Sequence, residues 1–201
     1  MWEAAPDSLH RSLRRIVASC QDVRRHALCA LAIDEHRAKF APTIWDVHRS
    51  TAKPRPLSSV EQRWFVGAHA NVGGGYETDL LAQSPLRWLM KKAESQGLAF
   101  RSEVDLDGDD VTGKIKNSYS EFMYGAYQII SPPSFYRTIG AAPDARDDGI
   151  HTNVNETIDA NVFKRWRADP TYRPQNLVKR PSANTWIQAS CRLRSAPTIP
   201  A

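Results

Sequence analysis

No Gly-x-Ser-x-Gly occurs anywhere in the 201 residues, so the strand-to-helix elbow that presents a serine nucleophile is missing from this sequence. Apolar runs are short. None approaches the roughly 20 residues that a membrane-crossing helix needs. Met1 is followed by an acidic and then an arginine-rich stretch where a secretory leader would carry an apolar run, which predicts a chain that stays in the cytoplasm as synthesised.

Cysteine is scarce at three residues. Cys20 and Cys29, read as nine residues apart on one helix, would stand about 13 Å apart along its axis, beyond disulfide reach. Unpaired thiols fit a reducing compartment. Six histidines are present without an H-x-x-x-H or H-E-x-x-H pair, so no histidine-rich zinc site and no other metal site is expected. The acidic run Asp105–Asp110 has Asp110 where a calcium loop requires glycine and Lys116 where it requires glutamate. It reads as a turn around Asp107 and Gly108. The triple glycine lacks the Lys-Ser/Thr of a phosphate loop and the spacing of a dinucleotide fingerprint, and no cofactor is expected. No repeat or low-complexity stretch occurs.

What is present centres on QRWFVGAHANVGGGY, Gln62 to Tyr76. Trp64, Phe65 and Val66 are three β-favouring apolar residues in a row, closed by Gly67, as in a strand buried on both faces. Such a strand belongs inside an α/β sheet. Beyond it His69 and Asn71 enter a loop in which Gly73, Gly74 and Gly75 permit φ > 0 or a close backbone approach. Ligands of open α/β sheets bind outside the carboxyl ends of strands, where His69 is carried. The bland alternative is a histidine that only hydrogen-bonds its loop.

A helix follows, with Ser84 as N-cap, Pro85 at the first helical position and Gly97 past the end. Leu86, Leu89, Met90 and Ala93 would form its buried face, with Lys91, Lys92 and Glu94 in water. A histidine after a late strand and before a helix suits the last member of a triad whose chain order is Ser, then Asp or Glu, then His.

Three segments, His26 to Asp46, Val60 to Tyr76 and Ser84 to Leu98, together resemble the carboxyl-terminal half of the uncharacterised α/β-hydrolase domain family that includes type VI secretion phospholipase effectors. Phe135 to Gly140, Glu156 to Trp166 and Tyr172 to Leu177 resemble that family's ending. The resemblance implies a late buried strand, a catalytic-histidine loop and flanking helices, with His69 as the catalytic histidine. The family has Asp two residues after that histidine, where this chain has Asn71. It also implies that the nucleophile elbow and the triad acid lie upstream, so residues 1–180 read as an incomplete α/β-hydrolase domain and 181–201 as an irregular tail. Asp34 and Asp46 are nearby carboxylates, but Asp34 falls in a helical pattern. With only one buried strand visible, the sheet would lack neighbours.

The net charge of +5 is basic at both ends and acidic between, which argues against nucleic acid. Arg11, Arg14, Arg15, Arg24 and Arg25 line a helix whose other side carries Leu9, Leu13, Ile16, Val17 and Cys20. That pattern packs on a core or meets an anionic membrane surface. The sequence therefore predicts the histidine-bearing part of a lipid-ester hydrolase whose serine and acid come from a missing amino-terminal half or a separate chain. Export would use a route that reads no signal peptide. The alternative is a non-catalytic interaction module on the same scaffold.

Overall fold

The computed structural model describes residues 26–48, 56–76, 80–101, 112–117, 134–140, 144–147 and 149–178. Six strands and four helices occur among them. The strands are β1 (Ala27–Ala32), β2 (Asp46–His48), β3 (Val60–Phe65), β4 (Asp144–Arg146), β5 (Gly149–Asn153) and β6 (Glu156–Ile158). The helices are α1 (His69–Gly73), α2 (Gln83–Glu94), α3 (Ala160–Ala168) and α4 (Gln175–Val178). The basic helix expected before His26, the acidic run and the tail beyond Val178 lie outside the described residues.

One sheet has the order β1-β3-β6 and the other β2-β5-β4. The first is parallel. Ala27 N–H donates to Ser59 O and Ile33 N–H to Phe65 O, and on the far side of β3 Gln62 N–H donates to Asn155 O and Trp64 O accepts from Asp159 N–H. Both sets of partners ascend together along the chain, as parallel ladders require. The second sheet is antiparallel in both pairings, with His48 opposite His151 and Asp144 opposite His151. The chain is mixed α/β. The central place of β3 explains its near-continuous burial, because a parallel strand with neighbours on both sides is covered on both faces.

The sequence reading needs correcting at β1. Cys29 lies in a strand, and Asp34 follows that strand's end in a turn instead of sitting in a helix. ALCALA is built from alanine and leucine, which favour helices in isolation, and here the ladder with β3 overrides that weak preference. Burial pushes the Cys29 thiol up, away from the reactive thiolate. His151, read as a loop residue, lies within β5.

The chain divides into two compact units. One takes in residues up to Cys29, Pro42–Arg63 and Gly140–Thr157; the other takes in Ala30–Ala41, Trp64–Ile139 and Ile158 onward. In the first, the fully buried Gln62 side chain acts as a stitch. Its Oε1 accepts from Trp45 N–H at 2.7 Å, and its Nε2 donates to Trp45 O at 3.0 Å and to Val154 O at 2.7 Å. Beside it Glu61 is held by Arg63 at 2.7 Å and by the Thr157 hydroxyl at 2.8 Å. Asn155 takes φ 44 and donates from its side chain to Val60 O, the left-handed position that Asn tolerates best after Gly.

In the second unit Ile33, Trp64, Phe65, Ala68, Val162 and Phe163 make the core, and Phe65 meets Trp88 with ring centroids 5.5 Å apart. Helix α2 differs from expectation. It starts at Gln83, directly after a 3-10 turn at Leu80–Ala82. Ser84 is therefore inside the first turn, where its hydroxyl accepts from Asn161 Nδ2 at 2.9 Å. Pro85 fills one of the early positions whose N–H has no helical partner. The buried stripe is Leu81, Pro85 and Trp88, while Leu86 and Leu89 are 43% and 38% exposed. Trp88 takes the buried place, its ring packed against Phe65.

Replacing Gln62 by Leu keeps the volume and strips hydrogen bonds from Trp45 and Val154. Trp45 N–H and Val154 O lose a partner in part-buried surroundings, at about 1 kcal/mol or more each, so equilibrium urea unfolding should report a loss of roughly 2 kcal/mol or more. A loss near zero would mean that the stitch contributes nothing.

Candidate functional site

Because β1 and β3 run side by side and parallel, the residues that follow each strand emerge together at the same edge. Asp34 and Glu35 follow β1; Gly67, Ala68 and His69 follow β3. Asp34 N–H donates to Gly67 O at 3.1 Å, and Gly67 N–H donates back to Asp34 Oδ2 at 2.7 Å. That reciprocal pair latches the two strand ends. The Tyr172 hydroxyl donates to the same Oδ2 at 3.1 Å, and Asn176 Nδ2 donates to Ile33 O at 3.1 Å, so the chain's later residues clasp the latch. Burial raises the Asp34 carboxyl, opposed by the Gly67 and Tyr172 bonds. It raises the Tyr172 hydroxyl too, with Asp34 adding to the effect.

His69 is the first residue of α1 and not a loop residue. Its side chain is 50% exposed, while the Glu35 beside it is 1% exposed. His69 Nδ1 lies 2.8 Å from Glu35 Oε2. Arg37, itself buried, forks onto Glu35 with Nε on Oε1 and Nη2 on Oε2, both at 2.9 Å, and its backbone N–H adds a third bond at 3.0 Å. Arg37 Nη2 is also 2.9 Å from His69 Nδ1. Phe40 roofs the group, stacked on His69 at 5.0 Å and 27° and under the Arg37 guanidinium at 3.7 Å. A second buried cation stands close by. Arg137 donates through Nη2 to Phe40 O, and burial lowers its guanidinium while Glu35 opposes that shift.

The expected candidates divide. Asp34 spends its carboxylate on the latch, and Asp46 of β2 faces His151 Nδ1 at 3.3 Å. Neither is the partner of His69. Asn71 is buried under the site, where its Oδ1 accepts from Ala68 N–H and Lys116 N–H, both at 3.2 Å. That position uses an acceptor, which an amide supplies without charge. Of the glycines, Gly73 is helical, and Gly74 and Gly75 take φ 81 and 136 with open space where a Cβ would be. The close approach is made instead by Gly67, at φ 111, where a Cβ would stand 2.5 Å from Asn71 Cβ.

Glu35, Arg37 and Phe40 were not found from the sequence. The available signal was an apolar run ending in Asp-Glu-x-Arg, a strand whose exit carries alternating charges on one side. Among the described residues, no group of three or more His, Cys, Asp or Glu side chains could hold a metal, and none of the described helices is long and apolar enough to cross a membrane. An imidazole half in water with a carboxylate fixed on its inner nitrogen can accept and return a proton through its outer nitrogen.

Residues 4–92 match the family model of the type VI secretion phospholipase effector, Tle1-like, catalytic domain. The matched range takes in β1, β3, α1 and most of α2. Comparison with curated proteins and with solved structures gives no match.

Two measurements follow. Gly67→Ala should destabilise by about 2–3 kcal/mol, from the positive φ and the Asn71 contact together, whereas Gly74→Ala, strained in φ alone, should lose about 1–2 kcal/mol. Urea midpoints that rank the two the other way would contradict the close approach. For Asp34, the folded carboxyl binds its proton more tightly than the unfolded one, whose ordinary value is 3.8. Above that pH the unfolded state holds fewer protons, so this group's contribution to stability falls as pH rises from near 4 through the folded value. Asp34→Asn should flatten that slope in pH-dependent unfolding.

Proposed function

We propose that this chain carries the proton-transfer half of a phospholipase-type ester hydrolase of the Tle1-like effector family, with His69 as general base and acid and Glu35 as the carboxylate that orients it. The observation carrying this reading is the 2.8 Å pairing of His69 Nδ1 with a buried carboxylate at the exit of the neighbouring parallel strand. The family match over residues 4–92 supports it.

In this reading Nε2 takes the proton of a serine hydroxyl as the oxygen attacks the ester carbonyl, then returns it to the leaving alcohol. Glu35 stabilises the imidazolium formed between the two steps. The serine does not come from an elbow in these 201 residues, so the site is completed by residues that this sequence does not include. The acid need not come with them, because Glu35 fills that role. The half-exposed Phe40 ring on His69 offers an apolar face to the acyl part of a lipid ester. Export without a signal peptide belongs to the same reading.

A non-catalytic interaction module is the second reading, favoured by the missing elbow and by the exposed Leu86 and Leu89. The two separate in one experiment. Alone, the chain should stay unlabelled by a fluorophosphonate probe. Co-expressed with a segment bearing Gly-x-Ser-x-Gly, it should become labelled and hydrolyse phospholipid vesicles. His69→Ala should then lower kcat about 10³-fold or more and Glu35→Gln about 10²-fold or more, while His151→Ala changes it little. A folded Glu35→Gln variant with undiminished turnover would remove Glu35 from the mechanism.

A further inference from the structure

Three atoms at the site form a nearly equilateral triangle: His69 Nδ1 to Glu35 Oε2 at 2.8 Å, Glu35 Oε2 to Arg37 Nη2 at 2.9 Å, and Arg37 Nη2 to His69 Nδ1 at 2.9 Å. Their hydrogen-bonding capacities conflict. A guanidinium can only donate and a carboxylate can only accept. Nδ1 therefore either donates its proton to Glu35 or accepts one from Arg37, and each choice leaves the other nitrogen of the ring in the opposite state. Only the first leaves Nε2, the nitrogen away from Glu35 and Arg37, with a free lone pair on a ring whose side chain is 50% exposed.

We propose that Arg37 is a positioning residue that sets which nitrogen of His69 carries the proton, by fixing Glu35 Oε2 against Nδ1 so that the Nδ1–H form prevails. The fork from Nε and Nη2, with the backbone N–H of Arg37 on Oε1, leaves the carboxylate no freedom to turn away. An anionic oxygen held at 2.8 Å cannot face a ring lone pair without repulsion, so the proton lies between them. Arg37 tolerates this arrangement because its other needs are met: two bonds to Glu35, and its flat face on Phe40 at 3.7 Å. Phe40 in turn stacks on His69, which limits rotation of the ring that would exchange the two nitrogens. A lysine could keep the charge but not the fork.

The inference rests on reading His69 as the proton carrier, yet its test needs no substrate. Nitrogen-15 NMR of the imidazole in the full chain, recorded where His69 is neutral, should show a protonated Nδ1 and an unprotonated Nε2. Arg37→Lys should pull the two nitrogen shifts towards averaging, as the tautomer ratio falls by about tenfold, the worth of one hydrogen bond. His151→Ala, in the other compact unit, should leave the ratio as in the parent chain. A parent His69 protonated on Nε2 overturns the proposal, and this outcome needs no variant to fold. A folded Arg37→Lys with the parent's ratio overturns it too, because Glu35 would then suffice alone. Absence of hydrolysis in the reconstituted enzyme with the tautomer result intact would count against the proposed function and leave Arg37's role standing.

Discussion

The parallel pairing of β1 with β3 is the constraint on which the site depends. Antiparallel neighbours would send one strand's exit to each end of the sheet and keep Glu35 away from His69. Parallel neighbours bring both exits to one edge, and the Asp34–Gly67 exchange at 2.7 and 3.1 Å fixes them there. A one-residue slip of β3 would turn its alternate side chains to the opposite face and carry Gly67 out of the latch. Register, latch and histidine placement are therefore one fact expressed at three distances from the core.

Two adjacent carboxylates at the end of β1 perform different work because their surroundings differ. Asp34 points inward, meets a backbone N–H and a tyrosine hydroxyl, and is raised by burial. It is structural. Glu35, one residue further on, meets an arginine fork and an imidazole. Burying an ionised carboxylate is expensive unless it is paired, and the fork from Arg37 makes that burial tolerable while leaving one oxygen for His69.

The sequence disclosed the fold unevenly, and the reasons are physical. Trp64, Phe65 and Val66 announced β3 because bulky β-favouring residues between breakers have few other uses, and His69 followed from the strand's end. β1 was hidden because Ala27, Leu28, Ala30 and Leu31 carry helix preference, and only pairing with β3 shows them to be a strand. The carboxylate beside His69 went unseen for the same cause: the acid was expected upstream, and with β1 read as helix nothing placed Glu35 next to His69. The buried face of α2 was misread because periodicity gives several stripes and cannot say which one a partner such as Phe65 will select. The glycine run was overvalued, since Gly74 and Gly75 serve only their own φ, whereas Gly67 is the glycine that the approach of Asn71 demands.

The residues that orient His69 lie in two short stretches, Ala30–Ala41 and Trp64–Tyr76, and every bond among them closes within one compact unit. The orientation of the imidazole is thus fixed within this chain. The acyl transfer proposed above asks for groups already aimed before charge develops, and an imidazole held by Glu35, Arg37 and Phe40 would meet that demand on its inner side. The other ring nitrogen belongs to a side chain that is 50% exposed. In the reaction proposed above, a serine reaching that nitrogen would need only correct distance and angle, because the fold of β1 against β3 already fixes how the imidazole is oriented.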